Sequence, residues 1–205
     1  MTQNVIPFAS WLTTAIIRVL INTTVLNMNI DNISIGANVP EIVNVIIEIP
    51  AESSPVKYEI EKESGALIVD RFMSAPIFYP ANYGFIPHTL ADDGDAMDVL
   101  VVTPTPLVHN CVIPARPVGV LNMRDEAGED AKILAIPAHG LHSASDHIKC
   151  YTDLPPLLIE QIEHFFEYYK VLDKDKWVKM DEWGDAASAR KAIEESIKMY
   201  NDSVK

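Results

Sequence analysis

Asp92-Asp93-Gly94-Asp95-Ala96-Met97-Asp98 sets four carboxylates in seven residues, directly against the apolar run Val99-Leu100-Val101-Val102. Like charges a few ångströms apart repel by about 1 kcal/mol in water and by several times that near a protein surface. A counter-charge, or some chemistry, is therefore expected at this point. The spacing is not that of an EF-hand loop, which needs a glycine at its sixth position and a glutamate at its twelfth. A second acidic turn, Arg124-Asp125-Glu126-Ala127-Gly128-Glu129-Asp130-Ala131-Lys132, stands between two strand candidates. Either turn alone reads equally well as a solvated hairpin tip, since Asp-Gly is a common turn signal. At one end of a common sheet, they would gather up to six carboxylates. Such a group must take up protons or cations, and oxygen ligands select Mg²⁺, Mn²⁺ or Ca²⁺ over softer metals.

Magnesium sites often complete their coordination with substrate phosphates, and a phosphate needs cationic and hydroxyl donors. Lys57, Tyr58 and Glu59 in VKYEI, Arg71 in VDRFM, Tyr79 and Tyr83 in FYPANYG, Lys132, and Tyr169 and Lys170 in EYYK are the candidates. Each also has a plain structural reading: Lys57 and Lys132 as surface charges, Arg71 as a partner of Asp70, Tyr169 as a core ring. His88, the histidine nearest the first acidic turn, reads as structural, because a lone imidazole carries little ligand signal.

The elements that must position these residues come next. VNVIIEIP is an apolar strand run stopped by Pro50, and KYEIEKES with ALIVDRFM forms a hairpin turning at Ser64-Gly65. VLVVTPTP, VIPARPVGVLNM and AKILAIP are further strands, and their prolines exclude long central helices. Pro155-Pro156 opens a helix over LLIEQIEHFFEYYKVL, with Leu158, Ile162, Phe165, Phe166, Tyr169 and Leu172 on one face. DAASARKAIEESIKMY predicts a second helix, with Ala189, Ile193 and Ile197 four apart. The architecture expected is a mixed or antiparallel barrel with two C-terminal helices packed on it.

With 205 residues, nearly half of them hydrophobic, the chain suits one domain with a core of its own. A net charge of −13 argues against a general nucleic-acid binder, which neutralises phosphates with lysine and arginine. Cys111 and Cys150 belong to no CxxC or Cys/His cluster and read as reduced thiols. The first residues differ in composition. VIPFASWLTTAIIRVLINTTVLNMNI holds no acid and one base, Arg18. As a membrane span it would bury that arginine at a cost of roughly 2.5–3.5 kcal/mol, and it fits no secretory or transit pattern. Residues 1–27 are expected to be an extension outside the domain, and residues 28–205 a single catalytic domain.

IEIP, KYEIEKESGALIVDRFM, FYPANYGFIPHTL, DDGDAMDVLVVTPTP, RPVGVLNMRDEAGEDAKILAIP, DHIK and HFFEYYK…KWVK together resemble the soluble family I inorganic pyrophosphatases, bacterial type. The likeness runs from about residue 37 to residue 201, and the paired acidic motifs are specific to it. It implies an OB-like five-stranded β-barrel with flanking C-terminal α-helices, a mostly-β member of the α+β class. It also implies Mg²⁺-dependent hydrolysis of pyrophosphate to two orthophosphates by an activated water, with no covalent intermediate. About three or four Mg²⁺ ions per site are implied, Mn²⁺ being a candidate substitute, and a homohexamer in the cytoplasm, without nucleic-acid or membrane partners.

By matching position, the resemblance gives Asp93, Asp98, Asp125, Asp130 and Glu59 to the metals and Asp95 the role of general base. Lys57, Arg71, Tyr83, Lys132, Tyr169 and Lys170 would bind phosphate, with Glu48, Tyr79 and Glu126 behind them. VHNCVIPARP departs from the family pattern. Two competing readings stay open: an OB-like module for single-stranded nucleic acid, which would want a basic groove, and a phosphohydrolase of nucleotides or polyphosphate.

Overall fold

The computed structural model describes residues 30–205. The extension expected over 1–27 lies outside the described residues. The elements in chain order are β1 (Val43–Ile49), β2 (Val56–Ile60), β3 (Leu67–Phe72), β4 (Asn82–Phe85), β5 (Asp98–Val101), β6 (Val112–Asp125), β7 (Gly128–Glu129), β8 (Lys132–Pro137), α1 (Pro156–Tyr168), β9 (Val178–Asp185) and α2 (Ala186–Ser203).

Five strands close a circuit in the order β1-β4-β5-β8-β6, with β6 returning to β1. All its neighbours are antiparallel except β5 and β8. This ring, flanked by two helices, is the OB-like five-stranded arrangement that the resemblance implies. The short β7 and the longer β9 extend it by pairing with β6. β2 and β3 form the expected hairpin, turning through Gly65 at φ 67°, as a two-stranded sheet of their own.

Period-two side chains explain why the ring strands read as continuous apolar runs. Val99 and Val101 of β5, with Ile133 and Ala135 of β8, face a core closed by Ala189 and Ile193 of α2. Leu100, Leu134 and Ile136 face the opposite core, closed by Ile162, Phe165 and Phe166 of α1. Strands buried on both faces have no polar side to alternate with. Each such aliphatic or aromatic side chain contributes about 1.5–3 kcal/mol by leaving water. Pro117 of β6 borders a register shift between Pro117 and Gly119, where a missing N–H is tolerated. β4 approaches β1 so closely that a Cβ on Gly84 would stand 1.9 Å from the Ile46 carbonyl oxygen.

One expectation for the helices needs correction. α1 starts at Pro156 as predicted but ends at Tyr168, and Leu172 is 65% exposed instead of lying on the apolar face. Beyond Tyr169 the chain turns by three-residue bonds, Val171 N–H to the Tyr168 carbonyl and Asp173 N–H to that of Lys170. Lys170, in this tightened turn, is buried where it donates to Asp125. α2 is capped by Asp185, whose carboxylate accepts the Ser188 N–H at 2.8 Å. Ala189 and Ile193 are buried and Ile197 packs beside them, as their spacing predicts.

Candidate active site

A cleft of about 380 Å³ opens at the ring beside the β2–β3 hairpin. The two acidic turns line this one cavity: Asp93, Asp95 and Asp98 from the first, and Asp125, Glu126 and Asp130 from the second. β2 contributes Lys57 and Glu59, two apart and so on one face of the strand, and β3 adds Arg71. Lys132 begins β8, Tyr83 lies on β4 and Glu48 on β1, while Tyr169 and Lys170 follow α1. Tyr79 completes the set, so every residue that the resemblance assigned to the site lines the same cleft, whereas Tyr58, the other candidate on β2, does not. Lys62 and Lys176 line it too, although the sequence reading passed over both. Each lies in a charged loop, where a solvated lysine looks the same on paper. The cavity therefore carries eight carboxylates and six cations.

Their pairing is orderly. Lys132, a residue only 4% exposed, donates to both Asp98 and Asp130. Lys170 donates to Asp125 at 2.5 Å and lies 3.6 Å from Glu126, which also accepts from Lys176. On the hairpin, Lys57 donates to Glu59 and stands 3.4 Å from Asp70, which accepts from Arg71 at 2.6 Å. Asp93 caps its turn by accepting the Asp95 N–H at 3.0 Å. The Asp95 side chain is 80% exposed at the rim, 3.9 Å from Lys62.

Burial and charge set the protonation states. Burial would lower the Lys132 ammonium, but Asp98 and Asp130 outweigh it and hold the pKa far above the ordinary lysine value. For Asp130, burial outweighs the Lys132 ammonium and leaves the carboxyl above its usual range. These two directions pull against each other in a single ion pair. The charged lysine is the firmer of them, because two carboxylates share one ammonium. Burial also opposes ionisation of Asp125, yet the Lys170 and Ala127 hydrogen bonds win and lower its pKa. Glu48 is pushed up to about 8, first by burial and then by Asp98 and Glu59, against the Ile60 N–H that it accepts at 2.8 Å. Burial raises the phenols of Tyr79, Tyr83 and Tyr169, keeping them as hydroxyl donors.

Among the described residues no three Asp, Glu, His or Cys side chains converge as a ready-made ligand set. The carboxylates are instead bridged by ammonium groups. The carboxylates offer only oxygen donors, a set that would suit a hard cation such as Mg²⁺ or Mn²⁺. His88 is not in the lining; its Nε2–H donates to the Ile33 carbonyl at 3.0 Å, in keeping with a structural role.

The family model for inorganic pyrophosphatase matches residues 45–201, most of the chain. The chain belongs to the inorganic pyrophosphatase family. Among its curated relatives, the inorganic pyrophosphatase of Agrobacterium fabrum is 55% identical over 173 residues, covering 84% of this chain and 98% of that protein. That of Pseudomonas aeruginosa is 56% identical over 173 residues, covering 84% and 99%. The crystal structure of an inorganic phosphatase from Anaplasma phagocytophilum superposes with a TM-score of 0.81 at 50% identity, over 83% of this chain and 99% of that one. The inorganic pyrophosphatase of Thermus thermophilus gives 0.79 at 40% identity, over 84% and 99%. These structures share the fold of this chain over most of its length.

Proposed function

We propose that this protein hydrolyses inorganic pyrophosphate to two orthophosphates with Mg²⁺, through direct attack of water and no covalent intermediate. The observation that carries the reading is the meeting of both acidic turns with six cationic side chains in one small cleft. The family membership supports it. Asp93, Asp98, Asp125, Asp130 and Glu59 would hold about three or four ions, with Mn²⁺ as a substitute. When bound, such ions neutralise phosphate charge and lower the pKa of a coordinated water from about 15.7 towards neutrality.

The chain's own residues do the remaining work. Arg71 grips two phosphate oxygens with its planar fork, and Lys57 neutralises charge beside it. Lys132 and Lys170 would bind phosphate oxygens in place of their carboxylate partners Asp98, Asp130 and Asp125, the same carboxylates that would hold the ions. Tyr83 and Tyr169 donate hydroxyl protons to the same anion. Glu48, Tyr79 and Glu126 support these groups from behind. Asp95 accepts a proton as the water oxygen attacks phosphorus in line with the bridging oxygen. The phosphorus–oxygen bridge breaks, and the departing phosphate takes its electron pair.

The exposed rim position of Asp95 favours this role, since a water can reach it from solvent. Residues 28–205 form the catalytic unit in this reading, an assignment supported by the span of the family model. We extend the proposal to a cytoplasmic homohexamer. Its support is the pair of free cysteines and the exposed apolar side chains Phe72, Phe78 and Leu157. Among the described residues no helix is long and apolar enough to cross a membrane.

The test is phosphate release from pyrophosphate and, separately, from ATP, with Mg²⁺ and again after EDTA. Fast release from pyrophosphate alone, abolished by EDTA, is expected. Preference for ATP would redirect the reading to a nucleotide hydrolase, and metal-independent turnover would end it.

A further inference from the structure

The cleft has two halves that share no strand ladder. The ring and its turns carry Asp98, Asp125, Asp130 and Lys132, whereas the β2–β3 hairpin, a separate sheet, carries Lys57, Glu59 and Arg71. Function requires the halves to stay in register to within a fraction of an ångström, so whatever seats the hairpin on the ring matters to the chemistry.

His109 lies at this seam, on the surface loop before β6. Its loop is tied to β1 by backbone bonds, Asn110 N–H to the Ile47 carbonyl at 2.8 Å and Ile47 N–H to the Cys111 carbonyl at 3.0 Å. The His109 Nδ1–H donates to the Glu48 carbonyl at 2.7 Å, the donor being assigned because a carbonyl can only accept. The same ring stands edge-on to Tyr58, with centroids 5.0 Å apart at 68°. Tyr58 sits on β2 between Lys57 and Glu59. From the other side of Glu48, its carboxylate accepts the Ile60 N–H of the same strand.

We propose that His109 is a positioning residue: it clamps β1 at Glu48 and backs Tyr58, so that the hairpin presents Lys57 and Arg71 to the substrate. It touches no reacting atom. The proposal rests on the reading that Lys57 and Arg71 bind pyrophosphate.

The test uses the full chain with Mg²⁺ and pyrophosphate. His109→Ala should raise KM about fivefold, the scale of one net hydrogen bond, with kcat within about twofold of the parent. His109→Asn, which keeps an N–H near the position of Nδ1, should restore KM. His109→Phe keeps a ring against Tyr58 but no donor, and should stay impaired. In metal-free protein, hydrogen exchange should quicken at 56–60 and 67–72 in His109→Ala, with the ring strands unchanged. Arg71→Ala, in the same assay, separates the two ideas. If it leaves KM unchanged, the substrate-binding reading fails and exchange alone decides the clamp. If it raises KM while His109→Ala does not, the clamp is wrong. Should His109→Ala not fold, equal KM values for the Asn and Phe variants would overturn it.

Discussion

Lys170 Nζ lies 2.5 Å from Asp125 Oδ2, and both residues are more than nine-tenths buried. The chain leaving α1 is thereby tied to the end of β6 inside the cleft. A buried cation and a buried anion each lose several kcal/mol of hydration, which only a close partner returns. The arrangement therefore holds its buried charges in compensated pairs.

Lys132→Met tests this compensation. Removing the ammonium leaves Asp98 and Asp130 facing each other, and in EDTA the variant should lose on the order of 3 kcal/mol of stability. Adding Mg²⁺ at about a hundred times its dissociation constant should return roughly 2.7 kcal/mol if the ion takes the ammonium's place. Thermal melts with and without Mg²⁺ measure both. No added stabilisation by Mg²⁺ would argue that these carboxylates do not receive a cation.

Asp95→Asn should lower kcat by about 10²–10⁴-fold, the usual scale for a general base, while Mg²⁺ binding measured by calorimetry is retained. A near-normal rate would remove Asp95 from that role. The neighbouring Lys62, 3.9 Å away and exposed, is expected to matter far less.

Arg71→Lys keeps the charge but not the two-pronged grip. Its kcat/KM for pyrophosphate should fall at least about tenfold. An unchanged value would show that bidentate geometry is irrelevant at this position.

The pH dependence of stability should carry the mark of Glu48. Its pKa in the folded protein is pushed up to about 8 by burial, against an ordinary value of 4.5. A raised pKa means that the folded state holds the proton more tightly than the unfolded chain does. The associated stability is fully present below about 4.5 and is lost as pH rises towards and through 8. Glu48→Gln keeps an acceptor for the Ile60 N–H but cannot ionise. In metal-free melts, the variant should gain on the parent by up to a few kcal/mol between about pH 5 and 9. Parallel curves would place the Glu48 titration outside that range.

Much of this was legible from residue order. The VNVIIEI, DVLV and KILAIP strands announce themselves because both faces of each are buried, and the hairpin because Ser64-Gly65 interrupts two extended runs. The candidate site could be named because charged residues beside apolar runs are costly without a purpose. Other elements were not visible. β9, VKMDEWGD, is half charged and forms against the edge of β6, so its pairing partner decides it, not its composition. β4 is only four residues long and holds Gly84, whose value is the close approach to Ile46. Leu172 continued a helical period on paper, yet the turns after Tyr169, with Lys170 paired to Asp125, ended the helix first.

Residue order alone determined which side chains carry charge, which segments must be buried, and which acidic turns needed a counter-ion. These are local properties, fixed by side-chain chemistry and by periods of two and near four. Only the tertiary structure decided that turns some thirty residues apart share one cleft, that Lys132 lies between Asp98 and Asp130, and that His109 reaches the strand bearing Lys57. Those relations depend on how the ring closes and on the register of its strands. That closure is set by the summed packing of two cores, which no single stretch of sequence contains.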